Sequence, residues 1–434
     1  MKTTTAIKYA AIATLLFTLS ILNFTAQGAV IQQVIVRQQW PWSTDVKVEY
    51  KLAEVTTPVD ISVKAFNGNV ELPLPSDAMA GELYGITESG IGQFIIDPVK
   101  AFGNAKIAIA DFRVELELSD SAANINEVIY KVFCLTNNND CVDITRADLL
   151  NGKYGMIETD YPKLGRGFNT LLSDVLVWTG VTNDMKYATT HFVVRKISAK
   201  DATWSMGAYE SDVAYGKANS GLRHTVTLDK DYFIGVFPVT QRQYVLMTSF
   251  DNPSYFKNLV DSDMRPVETR KYSTIISAAL PKMRETIGVA TLTLPTEAQW
   301  EFACRAGTTN ELNSGKTLTV ANAKEVAWCS ENANGETHPV GLLAPNAFGL
   351  YDMHGNVGEG CIDWFSTTEP GYGDGAAVTN PTGPATDPGG AGERVTRGGY
   401  YTLSGTHYWM GSPGRGKHNG EYRTYGFRLV FTCD

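Results

Sequence analysis

The sequence predicts an all-β, sandwich-like domain followed by an α+β domain with little regular secondary structure. Polar and apolar residues alternate over much of the first hundred positions after an apolar leader. From about residue 190, the composition becomes rich in glycine and aromatic residues. Alternation of period two is typical of half-buried strands. At 434 residues, the chain also exceeds what one hydrophobic core usually organises, so we expect more than one domain.

The overall composition is that of a folded, mildly acidic protein. Hydrophobic residues make up 43% of the chain and charged residues 19%, with a formal net charge of −9. Proteins that bind nucleic acid need clustered lysine and arginine to neutralise phosphates. The chain has no basic run, so we do not expect a nucleic-acid partner.

The leader, residues 1–28, resembles a secretory signal peptide. Lys2 and Lys8 precede an apolar run from about Ala10 to Leu22, and small residues occupy the positions before Ala29 that a signal peptidase reads. Cleavage there predicts a secreted or periplasmic protein without a membrane span, because no later stretch is long and apolar enough. The alternative is an uncleaved anchor.

Residues 29–120 are predicted to form the β-sandwich-like domain. Asp45 to Leu52 alternates strictly, Ile61 to Leu72 alternates around an Asn67-Gly68 turn, and Lys106 to Leu118 repeats the pattern. Turn residues between alternating runs indicate antiparallel strands.

Residues 121–185 alternate weakly and are assigned as a connecting region. Of the six cysteines, Cys134 and Cys141 flank the turn-forming run Asn137 to Asp140. A hairpin closed by that run makes a disulfide possible in an exported protein. The alternative is that the cysteines are small buried hydrophobic residues.

Residues 186–434 form the predicted α+β domain. Thr240 and Thr296 each stand three residues before a glutamine, the capping-box arrangement that begins a helix. A further helix is predicted from Tyr272 to about Ile287, and loops are predicted to dominate beyond residue 305.

Ordered motifs in this domain resemble one known family. They are FPVTQRQY from Phe237, NPSYF from Asn252, RPVE from Arg265, LPTEAQWEFACRAGT from Leu294, NAFGLYDMHGNVGEGCIDWF from Asn346, RVTRGGYY from Arg394 and GFRLV from Gly426. Together they resemble the formylglycine-generating enzyme domain, also called the sulfatase-modifying factor domain. The resemblance implies a C-type-lectin-like fold of the α+β class.

Members with the namesake activity oxidise a sulfatase cysteine to formylglycine, using molecular oxygen and a copper ion held by two cysteines. The resemblance places those cysteines at Leu403 and Tyr408, four and nine residues beyond the second glycine of RGG. Neither residue offers the soft sulfur that Cu(I) prefers, and the neighbouring His407 alone does not make a copper site. Copper is therefore not an expected cofactor.

The resemblance also implies a structural calcium site. Asp352 and Glu359 would supply side-chain oxygens, and Gly355 and Val357 backbone carbonyls, to an ion that takes about six to eight oxygen ligands. The alternative is that Asp352 and Glu359 are ordinary turn and capping residues.

Relatives carry tryptophans on both sides of this glutamate, where Gly358 and Gly360 stand here. We expect this loop to be looser, or the missing volume to be filled differently, for instance by Tyr400 or Trp409.

The segment that follows RGG is rich in the residue types that hold partners at protein surfaces. The predicted ligand-binding residues are Tyr400, Tyr401, His407, Tyr408, Trp409, Arg415, Lys417, His418, Tyr422 and Arg423. The alternative for these residues is plain core packing.

The sequence thus predicts an exported, non-catalytic member of this family, with no catalytic residue of its own. It would act as a ligand-binding or scaffolding module for an extracellular or periplasmic protein, peptide or glycan. Two alternatives remain open: a formylglycine-generating oxidase acting on sulfatase cysteines, and a structural envelope component. The chain has no nucleophile elbow, phosphate-binding glycine loop or histidine pair at metal-binding spacing.

Overall fold

The computed structural model describes residues 28–38, 43–103, 112–137, 140–154, 156–158, 176–212, 223–368 and 374–433. The described residues divide into two compact units, the first lying within residues 1–127 and 146–156 and the second within residues 128–145 and 157–434. The region 121–185 is thus shared between the two units. The predicted signal peptide lies outside the described residues, apart from Gly28.

Among its described residues, the first unit contains two antiparallel sheets and two short α-helices. The strands are β1 (Val30–Gln38), β2 (Val46–Ala53), β3 (Val59–Asn67), β4 (Val70–Leu72), β5 (Met79–Gly81), β6 (Gly90–Ile96) and β7 (Phe112–Asp120), and the helices are α1 (Pro98–Phe102) and α2 (Arg146–Leu150). The strand orders are β1-β2-β6-β5 and β4-β3-β7. Of the strand predicted from Lys106, residues before Phe112 lie outside the described chain.

The alternating residues of these strands form the core of the first unit, as the sequence predicts. Val48 and Phe94 come from one sheet and Ile61 from the other, and all three are buried in one apolar cluster. Asn67 pairs with Val70 across the Asn67-Gly68 turn, where Gly68 has φ of 58°. The all-β, sandwich-like prediction is therefore confirmed for this unit.

The second unit mixes short strands with helices and long loops. Its strands are β8 (Val128–Cys134), β9 (Cys141–Thr145), β11 (Leu176–Trp178), β12 (His191–Ile197), β13 (Ala202–Met206), β14 (His224–Leu228), β15 (Tyr232–Gly235), β16 (Ala327–Trp328), β17 (His354–Gly355), β18 (Gly358–Trp364), β19 (Val378–Thr379), β20 (Arg394–Arg397), β21 (Arg415–His418), β22 (Tyr425–Gly426) and β23 (Val430–Thr432); β10 (Met156–Glu158) lies at the boundary between the units. The largest sheet has the order β23-β15-β12-β8-β9, and a four-stranded sheet has the order β21-β20-β18-β22. This arrangement is the predicted α+β class.

The helices of the second unit begin largely where the sequence predicts. They are α3 (Gln241–Thr248), α4 (Tyr272–Thr274), a π-helical turn (Ile275–Ala279), α5 (Leu280–Ile287), α6 (Glu297–Arg305) and α7 (Val320–Val326). Thr240 and Thr296 form the predicted capping boxes of α3 and α6. Helix α7 was not predicted, because its cap, Thr319, has Asn322 three residues later in place of glutamate or glutamine. Within the described residues, no helix combines the length and apolar character needed to cross a bilayer.

The predicted hairpin at Cys134 and Cys141 is present, but the disulfide is not. Strands β8 and β9 pair antiparallel with Phe133 opposite Cys141. Successive residues of a strand point to opposite faces, so Cys134 points away from Cys141. Both thiols are free.

Candidate functional site

The segment from Gly398 to Tyr425 begins with a turn that only glycine fits well. Gly398 and Gly399 have φ of 87° and 68°, and a Cβ on Gly398 would lie 2.8 Å from the Met353 carbonyl oxygen. The chain then forms a short 3-10 turn, Tyr408–Met410, for which His407 is the N-cap. The Trp409 N–H donates to His407 Nδ1 at 3.2 Å, which gives this histidine a local structural role.

Seven residues of the second unit form a surface that we call the aromatic face. They are Tyr255, Tyr400, His407, Tyr408, Trp409, Tyr422 and Arg423, all exposed or half-exposed. The ring of His407 stacks on that of Tyr408 at 4.8 Å and meets the edge of Trp409 at 5.5 Å. Trp409 in turn contacts Tyr400 at 6.3 Å between ring centres.

The aromatic face continues across Tyr425, which is itself buried. Its ring lies 5.3 Å from that of Tyr400 and 6.0 Å from that of Tyr422. The Arg423 guanidinium lies 5.2 Å from the centre of the exposed Tyr255 ring. The structure therefore brings six of the predicted ligand-binding residues together and adds Tyr255, which lies in the NPSYF motif and was not predicted as a ligand residue.

Three of the predicted ligand-binding residues are core residues instead. Tyr401, Arg415 and His418 are 0%, 2% and 3% exposed. His418 stacks on Tyr425 at 4.0 Å, and burial lowers the pKa of its imidazole to about 4. Lys417 is exposed, but its ammonium forms an ion pair with Glu393 at 2.8 Å.

Arg415 belongs to a buried ionic network that spans helix α6 and strands β20 and β21. Glu297 accepts hydrogen bonds from Arg415 Nε at 2.6 Å, from Arg415 Nη2 at 2.8 Å and from Arg397 Nη1 at 3.0 Å. Glu301 accepts from Arg305 Nε at 2.8 Å and from Arg397. Burial raises the pKa of Glu301, but Arg397 and Arg305 outweigh it and hold this pKa below its usual value.

The sequence offered one signal for this network that the prediction did not use. Glu297, Glu301 and Arg305 are spaced four residues apart, so they line one face of α6. All three are at most 1% exposed. A buried charged row of this kind needs partners from elsewhere in the chain, and only the fold identifies them.

The two positions expected for copper thiolates have no sulfur. Leu403 packs against an apolar cluster that includes Leu312, Cys329 and Met410, while Tyr408 belongs to the aromatic face. Burial raises the pKa of the Cys329 thiol to about 11, so this thiol is protonated at neutral pH. Among the described residues, no group of three or more histidine, cysteine, aspartate or glutamate side chains is placed to hold a metal ion.

Two tyrosines fill the space beside Glu359, and the expectation of Tyr400 or Trp409 there is wrong. A Cβ on Gly360 would lie 2.1 Å from the Tyr272 ring, and a Cβ on Gly358 would lie 2.9 Å from the Tyr425 ring. Both tyrosines also pack on His418, at 4.9 and 4.0 Å between ring centres. Distant segments of the chain thus supply the rings that this loop lacks.

The four predicted calcium ligands lie in one buried segment that runs from Asp352 to Glu359, but the two carboxylates differ in their partners. Glu359 accepts Arg428 Nη2 at 2.8 Å and Trp300 Nε1 at 2.7 Å, so a cation already neutralises it. Asp352 is 5% exposed and, among the described residues, accepts hydrogen bonds from the Gly341 N–H at 2.8 Å and from the Asn356 amide at 3.3 Å.

Asp352 therefore fits a cation better than Glu359 does. Burial raises the pKa of Asp352 to about 6, and the charge of Glu359 adds to that shift. The backbone of Gly355 is held by a bond from its N–H to the Gly398 carbonyl at 2.8 Å, and Val357 is buried. An ion here would have to share Glu359 with Arg428.

Cys304, His354 and Ser412 form a buried cluster. Its residue types are those of a nucleophilic cysteine and its histidine base, but its protonation states are not. The Cys304 sulfur lies 3.7 Å from His354 Nε2 and 3.4 Å from Ser412 Oγ. Burial raises the pKa of Cys304 to about 12 and lowers that of His354 to about 4, so neither is charged at neutral pH. Since the thiolate is the nucleophile, this cluster has a structural role.

The comparisons with known proteins concern mainly the second unit. The family described as "Sulfatase-modifying factor enzyme 1-like domain" matches residues 197–433. A chaperone protein, LppX of Paenibacillus barcinonensis, is 32% identical over a match that covers 33% of this chain and 66% of the relative. The formylglycine-generating enzyme of Thermomonospora curvata is 36% identical over 25% of this chain and 38% of its own length. The chain thus matches less than two thirds of each of these relatives.

Among solved structures, variable protein 1 of Treponema denticola covers 56% of this chain and 96% of its own, with 26% identity and a TM-score of 0.47. PvdO from Pseudomonas aeruginosa covers 56% of this chain and 94% of its own, with 21% identity and a TM-score of 0.44.

Proposed function

Because the chain belongs to the sulfatase-modifying factor enzyme 1-like family, we propose that it is an exported, non-catalytic member that binds a ligand through the aromatic face. One observation carries the proposal. The positions at which this resemblance places copper thiolates are Leu403, packed in an apolar cluster, and Tyr408, part of the aromatic face. The ligand class is an extracellular or periplasmic protein, peptide or glycan, and the leader supports export.

The packing of the aromatic face suits ligand binding because its rings are held in place before a ligand arrives. The Trp409 ring packs on Gly416, where a Cβ would lie 3.4 Å from the indole. Tyr400 is held between Trp409 and Tyr425. Ordered aromatic rings offer a large contact area at a low cost in conformational entropy. The similarity to a protein described as a chaperone is compatible with a binding role.

Ligand capture by substituted proteins tests this proposal. The purified protein is screened on an array of bacterial envelope glycans and peptides, and each hit is measured by isothermal titration calorimetry. We expect Tyr408→Ala and Trp409→Ala each to weaken a true hit at least about tenfold, since aromatic anchors contribute about 2 kcal/mol or more at interfaces. Leu342→Ala is the control, because Leu342 is 60% exposed and lies outside the aromatic face.

Equal binding by all variants would rule out the aromatic face as the ligand site. If Tyr408→Ala and Trp409→Ala changed the free energy of unfolding and no ligand bound, the structural envelope role would be supported instead.

Measurements of copper binding and oxygen consumption distinguish the proposed function from the oxidase alternative. The reduced protein is titrated with Cu(I), and oxygen uptake is followed with a sulfatase-derived cysteine peptide. We expect no stoichiometric copper binding and no uptake. Tight one-to-one binding with peptide-dependent uptake would establish the oxidase and overturn the proposal.

Calcium remains part of the proposal as a structural ion bound near Asp352. Its support is a buried carboxylate that forms no ion pair among the described residues. Addition of calcium is expected to raise the melting temperature of the protein, and Asp352→Asn is expected to abolish that rise. A melting temperature that is the same with calcium and with a chelator would rule out a stabilising calcium ion at this site.

A further inference from the structure

The second unit contains a cavity of about 460 Å³ that shares no residue with the aromatic face. Its nine lining residues are Lys271, Tyr272, Ser273, Ile276, Trp364, Ala391, Gly392, Arg394 and Asn419. The volume falls within the range of about 300–1,000 Å³ that is usual for small-molecule sites. None of the nine is acidic, although the protein carries a net charge of −9.

Strands β18 and β20 hold one cation at the wall of this cavity. Trp364 pairs with Arg394 across the two strands, and the Arg394 guanidinium lies 3.4 Å from the centre of the Trp364 ring. Arg394 Nη1 also donates to the Ile362 carbonyl. The guanidinium is therefore fixed in position and forms no ion pair with a carboxylate among the described residues.

A second cation, Lys271, stands at the start of helix α4. Its side chain is exposed and forms no ion pair with any residue that the structure describes. Asp387 does not line the cavity. Its carboxylate accepts hydrogen bonds from the backbone N–H groups of Gly389 and Gly392. The charges of Asp363 and Asp387 are felt by Arg394, but neither residue lines the cavity.

Neutral polar groups complete the lining. The Asn419 amide nitrogen donates to the Ala391 carbonyl at 2.6 Å, which fixes the amide group and leaves its oxygen as an acceptor for another donor. Ser273 offers an exposed hydroxyl beside Lys271. Two cations with a fixed amide, a hydroxyl and an indole match a ligand that carries at least one negative group on a hydroxylated body.

We propose that this cavity binds an acidic sugar. One carboxylate of the sugar lies between Lys271 and Arg394, and hydroxyl groups of the sugar bond to Asn419 and Ser273. The site is independent of the aromatic face and adds a second, charge-selective ligand to the protein.

Calorimetric titration with digalacturonic acid tests this site, with the neutral disaccharide galactobiose as the matched control ligand. We expect the acidic disaccharide to bind and the neutral one to bind at least about tenfold more weakly, since hydrogen bonds to charged groups contribute about 1.5–3 kcal/mol. Lys271→Gln and Asn419→Ala are each expected to weaken binding of the acidic disaccharide. Lys282→Gln should leave it unchanged, because Lys282 lies on α5 in an exposed pair with Glu285 and outside the cavity.

Three results would overturn the inference: equal affinity for the two disaccharides, unchanged affinity in Lys271→Gln, or no binding of digalacturonic acid at millimolar concentration. Displacement of the disaccharide by an equal concentration of inorganic phosphate would also overturn it, because the cavity would then select its ligand by negative charge alone and not by the sugar hydroxyl groups. Tyr408→Ala is expected to bind digalacturonic acid normally, so this inference and the proposed function fail separately.

Discussion

Arg415 and Arg423 lie close together in the same segment but have opposite environments. Arg415 is 2% exposed and bonds to both oxygens of Glu297, whereas Arg423 is exposed and lies over the ring of Tyr255. Both are surrounded in sequence by glycine and aromatic residues. The difference arises because helix α6 brings a carboxylate to one arginine and not to the other. Residue type alone therefore does not separate the buried residues of this segment from its exposed ones.

The largest effect on the free energy of unfolding is expected from removing Arg415, the buried arginine of the two. Arg415→Ala should lower the free energy of unfolding by about 3–5 kcal/mol, because it leaves part of the Glu297 charge buried without a partner. Arg423→Ala should change it by less than about 0.5 kcal/mol. Urea unfolding followed by tryptophan fluorescence measures both, since six of the eight tryptophans lie in the second unit. Equal losses in the two variants would contradict the comparison.

A smaller effect is expected where Tyr272 fills the space beside Gly360. Gly360→Ala places a Cβ 2.1 Å from the tyrosine ring and should destabilise the protein by about 1–3 kcal/mol. In a Tyr272→Ala background, the same substitution should have almost no effect, because the ring that it meets is gone. Additive losses in the double variant, measured by the same urea titration, would show that the two sites are independent.

Asp363 is a buried carboxylic acid that contacts the ionic network through Glu297, but, unlike Glu297, it accepts no hydrogen bond from an arginine among the described residues. Its Oδ2 accepts the Glu297 N–H at 2.9 Å, and burial, with repulsion from Glu297, raises its pKa to about 7. The folded protein then binds a proton that the unfolded chain releases near pH 4, so the stability contributed by this group is present at low pH and lost as pH rises towards 7.

Asp363→Asn should therefore stabilise the protein at pH 8, by on the order of 1 kcal/mol, since the variant no longer buries a charge there. The advantage should disappear near pH 4, where the original carboxyl is protonated in the folded state. Melting temperatures across this pH range provide the test, and an advantage that is independent of pH would contradict the assigned titration.

The smallest effect on stability is expected on the aromatic face. Tyr408→Ala should lower the free energy of unfolding by less than about 1 kcal/mol, because the ring is half-exposed and packs mainly on His407 and Trp409. A loss as large as that of Arg415→Ala would place Tyr408 in the core and weaken the binding proposal.

The fold could be predicted to a large extent from local patterns. The alternation in β2 and β3, the capping boxes at Thr240 and Thr296 and the helix from Tyr272 are all determined by neighbouring residues. The residues of the aromatic face were predicted less well. Tyr401 and His418 resemble Tyr400 and Tyr422 in sequence context, yet they are buried because Phe256, Tyr272 and Tyr425 pack against them.

The sequence by itself determined the two kinds of domain, the family of the second, and the absence of cysteine at positions 403 and 408, which are Leu403 and Tyr408. The tertiary structure alone decided which arginines are neutralised in the core, which tyrosines replace the missing tryptophans beside Glu359, and how Lys271, Trp364 and Arg394 come to line one cavity. The physical reason is that capping and alternation act between neighbours in sequence, whereas burying a charge or filling a void requires groups from distant segments.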